Sequence, residues 1–135
     1  MELKNKVAVI TGASSGIGAA VARNLNQAGV SLILTGRRED RLVELKRELT
    51  GAEILPGDIT SPALPDNLIQ MALQSFGHCD IVFNNAGTVV MGTIEDIDIE
   101  NVCAMVRVNI EPGWCKPKSS GIGMSFPRRN STSPI

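Results

Sequence analysis

The chain has 135 residues, of which 43% are hydrophobic and 20% charged, with a formal net charge of −1 at pH 7. This size suits one domain, and the near-neutral charge gives no electrostatic reason to expect nucleic acid or an anionic membrane as a partner. The sequence shows neither the long apolar run of a membrane span nor the basic-then-apolar pattern of a secretory signal, so we expect a cytoplasmic location.

The cysteines and the histidine argue against a metal centre. Cys79, Cys103 and Cys115 share no metal-ligand spacing, and His78 is the one histidine of the chain. Zinc sites in proteins draw their ligands mostly from these two residue types. We therefore expect no metal site and a reducing compartment.

The first strong signal lies in residues 7–18. An apolar run rich in β-branched residues predicts a buried strand, and three glycines follow it before a helical pattern begins. The free N–H groups and the dipole of a helix N-terminus favour an anion, and glycines let that anion approach closely. The natural ligand of such a loop is the pyrophosphate of a dinucleotide. The candidate cofactor residues of this loop are Gly12, Ser14, Ser15, Gly16, Ile17 and Gly18.

Helices and strands are predicted to alternate along the rest of the chain. The predicted helices cover residues 16–28, 39–49 and 66–76, with a fourth that begins at an N-cap, Asp98. The predicted strands after the first cover residues 30–35, 52–55 and 80–83. Because strand–helix–strand crossovers join parallel strands, this alternation predicts a parallel sheet.

Apolar residues at helical spacing predict which helix faces pack on the sheet. In the first helix these are Ile17, Ala20, Val21, Leu25 and Ala28. In the fourth helix they are Val102, Cys103, Val106 and Ile110. Before the third helix, Pro62 and Pro65 are expected to keep the chain irregular.

The end of the second predicted strand bears on the choice of cofactor. An acidic residue here, about twenty positions after the glycines, would hold the ribose 2′-hydroxyl of NAD. The sequence instead places Arg37 and Arg38 after Gly36, and guanidinium groups pair with phosphate in bidentate fashion. This favours NADP(H) over NAD(H), with solvated charges at the start of an exposed helix as the alternative.

A second motif follows the fourth predicted strand, where the sequence reads Asn84-Asn85-Ala86-Gly87. Together with the earlier pattern Thr11-Gly12-x-x-x-Gly16-Ile17-Gly18, it resembles the short-chain dehydrogenase/reductase family, and the similarity covers residues 1–110. The resemblance implies an α/β fold with a Rossmann-like, doubly wound parallel sheet. Here that sheet would be truncated to about four strands in the order 3-2-1-4.

The resemblance also implies roles for individual residues. Asp58 would contact the adenine ring, with Ile59 beside it, and the alternative for Asp58 is a turn residue that bonds its own backbone. Asn109 would support catalysis by holding a water near the active-site lysine, and its alternative is a solvated side chain. The second motif would bring three residues close to the cofactor, namely Asn85, Ala86 and Gly87.

The similarity ends after residue 110. Family members continue to a Tyr-x-x-x-Lys motif, whereas this chain contains no tyrosine. Because that tyrosine donates the proton in carbonyl reduction, we expect negligible turnover. Residues 1–110 are interpreted as a dinucleotide-binding half domain. Residues 111–135 begin with a helix-breaking Pro112-Gly113 step and are expected to form an irregular, disordered tail, which suggests a truncation, an altered reading frame or an alternative end.

The sequence leaves two interpretations of function open. A third is that the chain is a truncated product without function. The first is the cofactor-binding part of an NADP(H)-dependent oxidoreductase of carbonyl or alcohol substrates. The second is a non-catalytic dinucleotide-binding module. The expected partners are the dinucleotide cofactor and, for a full-length form, a small carbonyl or alcohol substrate of unknown identity. We expect neither nucleic acid nor a membrane as a partner. Two further alternatives stay open, a homo-oligomer and pairing with a full-length relative.

Overall fold

The structure is a computed structural model that describes residues 2–87 and 98–109. Helices and strands alternate in it, as predicted. The strands are β1 (Val7–Ile10), β2 (Ser31–Leu34), β3 (Ala52–Ile54) and β4 (Ile81–Phe83). The helices are α1 (Gly16–Gln27), α2 (Glu39–Glu48), α3 (Leu64–Phe76) and α4 (Ile99–Asn109). The predictions for Ile110, Cys115 and the segment 111–135 lie outside the described residues.

The four strands form one parallel sheet in the order β3-β2-β1-β4, which confirms the predicted order. In the centre, Val9 of β1 stands between Ile33 of β2 and Val82 of β4. The chain passes from β1 outward to β3 and then returns to the other side of β1. The reversal point therefore lies between β1 and β4, where a doubly wound sheet opens a crevice at the carboxyl ends of its strands.

Helices cover both faces of this sheet, as parallel strands require. On one face, Ala22 of α1 and Leu42 of α2 pack against Ile10 and Leu34. On the other face, Leu68 of α3 belongs to a second buried cluster, together with the side chains of β1 and β2 that point to that face. The core thus forms two layers, and β1 and β2 contribute to both.

The first helix packs through a face rotated from the predicted one. Its buried residues are Gly18, Ala19 and Ala22, while Ile17 is 70% exposed. Small residues turn toward the sheet because the helix begins directly above the strand end, where little space separates it from the loop backbone. Predicted inward positions Val21 and Leu25 pack only at the margin of the core.

The third helix begins two residues before its predicted start. Leu64 opens it and Pro65 lies in its first turn, so the expectation that Pro65 keeps this segment irregular is wrong. Proline is tolerated there because the first N–H groups of a helix have no intrahelical partner. The helix ends at Phe76, and Gly77, with a φ of 84°, provides a left-handed cap.

The fourth helix begins as predicted but packs differently. Asp98 Oδ1 accepts a hydrogen bond from the Glu100 backbone N–H at 3.0 Å, which fits its predicted N-cap role. The predicted apolar face is wrong at Cys103, which is exposed. No described residue of α4 is fully buried, and Val108 is the one that packs against the core.

Candidate functional site

A cleft of about 480 Å³ opens at the carboxyl ends of β1, β2 and β4. It lies at the reversal point of the sheet, where ligands bind in open α/β folds. Ten of the candidate residues named from the sequence line it: Gly12, Ser14, Ser15, Arg37, Arg38, Asp58, Ile59, Asn85, Ala86 and Gly87. Four others do not, namely Gly16, Ile17, Gly18 and Asn109.

Two glycines allow the loop after β1 to pack tightly. Gly12 has a φ of 66°, and a Cβ atom built on it would lie 2.9 Å from the Cα of Ala86. A Cβ atom on Gly18 would overlap the backbone carbonyl of Gly12. Gly18 therefore acts by close packing of the helix on the loop, which explains why it matters for the cleft without lining it.

The N-cap residue of α1 does not cap the helix with its side chain. Ser15 occupies the N-cap position with an extended backbone, yet its side chain forms no capping hydrogen bond. The first turn also contains no acidic residue. The N–H groups and the positive end of the helix dipole consequently remain available for an anion that enters the cleft.

The buried Thr11 hydroxyl joins the two loops that border the cleft. Thr11 Oγ1 accepts the backbone N–H of Asn85 and of Ala86, each at 3.0 Å, and donates to Asn84 Oδ1 at 3.1 Å. Asn85 Nδ2 donates in turn to the carbonyl of Gly12 at 3.4 Å. These bonds fix the spacing between the glycine loop and residues 84–87.

A second buried threonine lines the cleft at the end of β2. Thr35 is 2% exposed, and its Oγ1 has no hydrogen-bond partner among the described residues. Both backbone groups of Thr35 are hydrogen-bonded. Its N–H donates to the carbonyl of Ile10, and its carbonyl accepts the N–H of Ala13. A buried hydroxyl without a partner costs free energy, so Thr35 contrasts with the well-satisfied Thr11.

The Asp58 carboxylate combines the two alternatives left open by the sequence. Its Oδ1 accepts the backbone N–H of Thr60 at 2.9 Å and the Thr60 hydroxyl at 2.7 Å, so Asp58 does bond its own turn. It also lines the cleft. The two bonds from Thr60, the backbone one first, lower the pKa of Asp58, and the nearby Arg37 charge lowers it further. Asp58 is therefore ionised at neutral pH.

Arg37 and Arg38 lie at the end of β2 on the wall of the same cleft. Arg38 occupies the N-cap position of α2, and both side chains are exposed. None of the ion pairs among the described residues includes either arginine. The two guanidinium groups thus give this end of the cleft positive charge that no described ion pair takes up, with the Asp58 carboxylate as the charged group that interacts with Arg37.

Asn109 lies close to the second motif although it does not line the cleft. A Cβ atom built on Gly87 would lie 2.9 Å from Asn109 Oδ1, which places the Asn109 side chain against residues 84–87. The last turn of α4 and the second motif are therefore in contact. This position leaves room for a supporting role and gives Asn109 no direct contact with the cleft.

Sequence reasoning missed several lining residues, the main ones being Thr35, Leu64 and Val108. For Thr35 a signal existed, because this polar residue ends an apolar run, and the cleft lies at the carboxyl ends of the strands. Leu64 lies in the segment that the sequence predicts to be irregular, and Val108 is not among the predicted apolar positions of the fourth helix. Their side chains supply the apolar part of a wall that is otherwise polar.

Neither a membrane span nor a metal cluster occurs in the described part of the chain. No helix within residues 2–87 and 98–109 has the length and apolarity needed to cross a membrane. In the same ranges, no three His, Cys, Asp or Glu residues come together as metal ligands.

The uncapped helix, the closely packed glycines and the unpaired arginines fit the phosphates of a dinucleotide. The sheet order and the cleft at its reversal point define a Rossmann-like α/β domain. The model of the short chain dehydrogenase family matches residues 6–113, and the chain belongs to this family.

Relatives and solved structures agree with that assignment. The chain is 43% identical over 111 residues to an uncharacterized oxidoreductase of Staphylococcus epidermidis, covering 82% of this chain and 48% of the relative. A similar protein from Staphylococcus haemolyticus is 41% identical over 112 residues, with the same coverage. A double mutant of the Serratia marcescens short-chain dehydrogenase/reductase superposes with a TM-score of 0.76 at 28% identity, covering 82% of this chain and 47% of that one. The chain thus spans about half the length of these proteins.

Proposed function

We propose that the cleft binds NADP(H), and that the chain is the cofactor-binding part of an NADP(H)-dependent oxidoreductase of carbonyl or alcohol substrates. The observation that carries this proposal is the meeting of an uncapped helix N-terminus with two unpaired arginines in one cleft at the sheet reversal. The family assignment supports a nicotinamide dinucleotide as the cofactor. The choice of the phosphorylated form rests on the arginines.

Each part of the cofactor has residues of suitable chemistry. The pyrophosphate would lie at the N-terminus of α1, against the loop from Gly12 to Ser15. The 2′-phosphate would pair with Arg37 and Arg38, because guanidinium groups bind phosphate oxygens in pairs. The adenine would lie near Asp58, whose Oδ2 accepts no bond among the described residues and is free to accept from the exocyclic amine.

The wall near the adenine position also has an apolar part. Ile59 and Leu64 are buried beside it, and Val108 approaches from α4. A flat aromatic base gains free energy from such surfaces when it leaves water. The cleft therefore separates an apolar region for the base from a charged region for the phosphates.

The bound cofactor would supply or accept a hydride at its nicotinamide ring. Carbonyl reduction also needs a proton donor at the substrate oxygen, and the 135 residues include no tyrosine to act as one. In this proposal the residues of the chain bind and orient the cofactor, and Asn109 supports the loop from Asn84 to Gly87. Turnover by the family's route would need the tyrosine proton donor, and these 135 residues include no tyrosine.

The absence of tyrosine favours a second candidate function, a dinucleotide-binding module without catalysis. The two candidates share the same cleft and differ in activity. Purified protein that binds NADPH and shows no NADPH oxidation with a panel of aldehydes and ketones would favour the second. Measurable reduction by the purified chain would exclude it.

The test of cofactor binding is isothermal titration calorimetry with NADPH and with NADH. We expect NADPH to bind about tenfold more tightly, which corresponds to about 1.4 kcal/mol from the 2′-phosphate contacts. The variant carrying Arg37→Gln and Arg38→Gln should lose this preference while it keeps its affinity for NADH. Equal affinities in the wild type, or no binding of either cofactor by protein that melts cooperatively, would contradict the proposal.

A further inference from the structure

The sheet has two edge strands in the described part of the chain, β3 and β4, and each of them pairs with one neighbour. Their side chains differ. Glu53 stands at the centre of β3 and Pro56 follows shortly after it, and charge and proline commonly keep a strand edge from pairing with another chain. β4 consists of Ile81, Val82 and Phe83, with neither a charge nor a proline. Of the two edges, β4 therefore lacks such protection.

The backbone of β4 presents Val82 to the open edge. The carbonyl of Phe83 accepts the backbone N–H of Thr11 at 3.1 Å, so the polar backbone groups of Phe83 point to β1. Because these groups point to alternate sides along a strand, those of Val82 point away from β1. The Val82 side chain is also exposed. The edge thus offers one N–H, one C=O and an apolar side chain at the same residue.

The polar residues on either side of β4 make contacts on the side of β1. Asp80 Oδ2 accepts the backbone N–H of Val7 at 2.8 Å and lies 3.2 Å from His78 Nε2. Asn84 Oδ1 accepts the Thr11 hydroxyl at 3.1 Å. These contacts direct the Asp80 and Asn84 side chains toward β1. They leave the open edge of β4 to its backbone and its apolar side chains.

We propose that β4 is the pairing edge of a homodimer, in which two copies of this chain align their β4 strands antiparallel about a two-fold axis at Val82. In this register the two Val82 residues exchange both backbone hydrogen bonds. Ile81 of each copy faces Phe83 of the other, and apolar cross-strand pairs of this kind stabilise a sheet. The two sheets join into one, with four strands from each copy.

The distribution of charge makes β4, and not β3, complementary to itself. In the β4 pair, Asp80 of each copy lies opposite Asn84 of the other, so no like charges meet. A two-fold pair through β3 would place Glu53 opposite Glu53 of the second copy, and like charges at opposed positions destabilise a sheet. Glu53 also pairs with Lys46 of its own chain, at 2.7 Å. A second copy of the chain therefore fits the edge of β4.

The pairing leaves the cleft of each copy accessible. Because the two β4 strands run in opposite directions, their carboxyl ends, and the clefts beside them, lie at opposite ends of the shared pair. No residue of β4 lines the cleft. We therefore expect the dimer to form equally well with and without NADPH, and the inference does not depend on the proposed function.

The first measurement is sedimentation velocity of the purified chain over a range of concentrations. A pair of three-residue strands buries less surface than a standard protein interface. We therefore expect a weak dimer that forms between about 10 µM and about 1 mM. A chain that stays monomeric throughout this range would overturn the inference.

Hydrogen exchange followed by NMR tests the edge itself without any substitution. The Val82 amide should exchange about tenfold more slowly in a sample that is about 90% dimeric than in a dilute, monomeric one. The control is the Ile54 amide, which faces the other open edge because Leu55 N–H bonds to β2, and its rate should stay the same. A Val82 amide that is already protected in the monomer would mean that the chain covers its own edge, which contradicts the inference.

Val82→Lys places two like charges opposite each other at the two-fold axis and should abolish the dimer over the whole concentration range. The matched control is Ile99→Lys, which introduces the same side chain at an exposed apolar residue of α4 and should leave the dimer unchanged. Thermal melts show whether each variant is folded. Dimers that persist in folded Val82→Lys would contradict the inference. Loss of the dimer in Ile99→Lys would indicate an interface on α4 and would overturn it as well.

Discussion

The central strand β1 and the edge strand β4 have equally apolar sequences but very different burial. All four residues of β1 are buried, whereas no residue of β4 is. The clearest pair is Val9 and Val82, which stand side by side in register, because Val9 is 0% exposed and Val82 is 36% exposed. The burial of a strand in this chain therefore depends on what covers it and hardly on its own sequence.

The difference follows from the helices and from the position in the sheet. Both faces of β1 are covered, by α1 and α2 on one side and by α3 on the other. In the described part of the chain, β4 pairs with β1 alone and α4 contributes no fully buried residue. Parallel strands are most stable with both faces covered, so β4 gains less from its apolar side chains.

Polar contacts hold β4 at both of its ends. At its carboxyl end, Thr11 binds residues 84–86 through the hydrogen bonds of its hydroxyl. At its amino end, Asp80 Oδ2 accepts the backbone N–H of Val7 at 2.8 Å, and its Oδ1 lies 3.8 Å from Lys6 Nζ. Hydrogen bonds at both ends therefore add to the partial apolar packing of Ile81 and Phe83 in holding the edge strand, whereas the apolar residues of the central strands are fully buried in the core.

The largest effect is expected at Gly18, where the central region contacts the loops of the cleft. In Gly18→Ala the added methyl group would overlap the carbonyl of Gly12 and lie 2.8 Å from Asn85 Nδ2. Because the first of these is backbone, the helix must shift, and we expect a loss of about 3 kcal/mol in unfolding free energy and loss of cofactor binding. Urea denaturation and calorimetry measure the two effects.

Gly16→Ala is the control for this substitution. Nothing lies within 4 Å of a Cβ atom there, so only the backbone strain at a φ of 59° is added, about 1 kcal/mol. A Gly18→Ala protein as stable as Gly16→Ala would contradict the tight packing of α1 on the loop.

The difference in burial between β1 and β4 is tested directly by Val9→Ala and Val82→Ala. The two variants remove the same atoms from neighbouring positions. We expect Val9→Ala to cost about 2–3 kcal/mol, because it leaves a cavity in a closed core, and Val82→Ala to cost about 1 kcal/mol or less. Urea denaturation gives both values. Similar costs would show that β4 is covered as well as β1.

The two buried threonines of the cleft are expected to respond differently to loss of their hydroxyl groups. Thr11→Val leaves two backbone N–H groups of residues 85 and 86 without their acceptor and should cost about 2 kcal/mol. Thr35→Val removes a hydroxyl without a partner and should be neutral or stabilise by up to about 1 kcal/mol. Thermal melts of the two variants check this contrast. A destabilised Thr35→Val protein would mean that this hydroxyl does have a partner.

The smallest effect concerns pH and Asp58. Because hydrogen bonds from Thr60 lower the pKa of Asp58 in the folded state, the carboxylate stabilises the protein at pH values above the unfolded value, about 3.9. This contribution should stay constant from pH 7 down to about 4.5 and disappear as the pH falls through the lowered folded-state pKa. The measurement compares the urea midpoints of the wild type and Asp58→Asn across this range. A difference that already shrinks near pH 6 would contradict the direction of the shift.

Much of the framework could be predicted from the sequence because local patterns determine it. Apolar β-branched runs predict the strands, the alternation of strands and helices predicts a parallel sheet, and the family resemblance implies the order 3-2-1-4. The glycine loop and Asn84-Asn85-Ala86-Gly87 located the cleft. Glycine spacing and motif order are local features of the sequence, so they do not depend on how the side chains pack.

Other features depend on tertiary packing and could not be predicted in the same way. Periodicity placed Ile17 inward, but the close approach of the helix to the loop turns Gly18 and Ala22 inward and leaves Ile17 exposed. Helical spacing placed Cys103 on the apolar face of the fourth helix, but in α4 this residue is exposed.

The most direct test of the central claim is to map the binding of NADPH by NMR on the ¹⁵N-labelled protein. We expect the backbone amide signals of residues 12–16, 36–38 and 85–87 to shift on titration, because these segments border the cleft at the carboxyl ends of the strands. Signals of His78 and Asp80, at the opposite end of β4, should stay unchanged. Shifts confined to that opposite end, or the absence of shifts at saturating NADPH, would contradict the assignment of the cleft as the cofactor site.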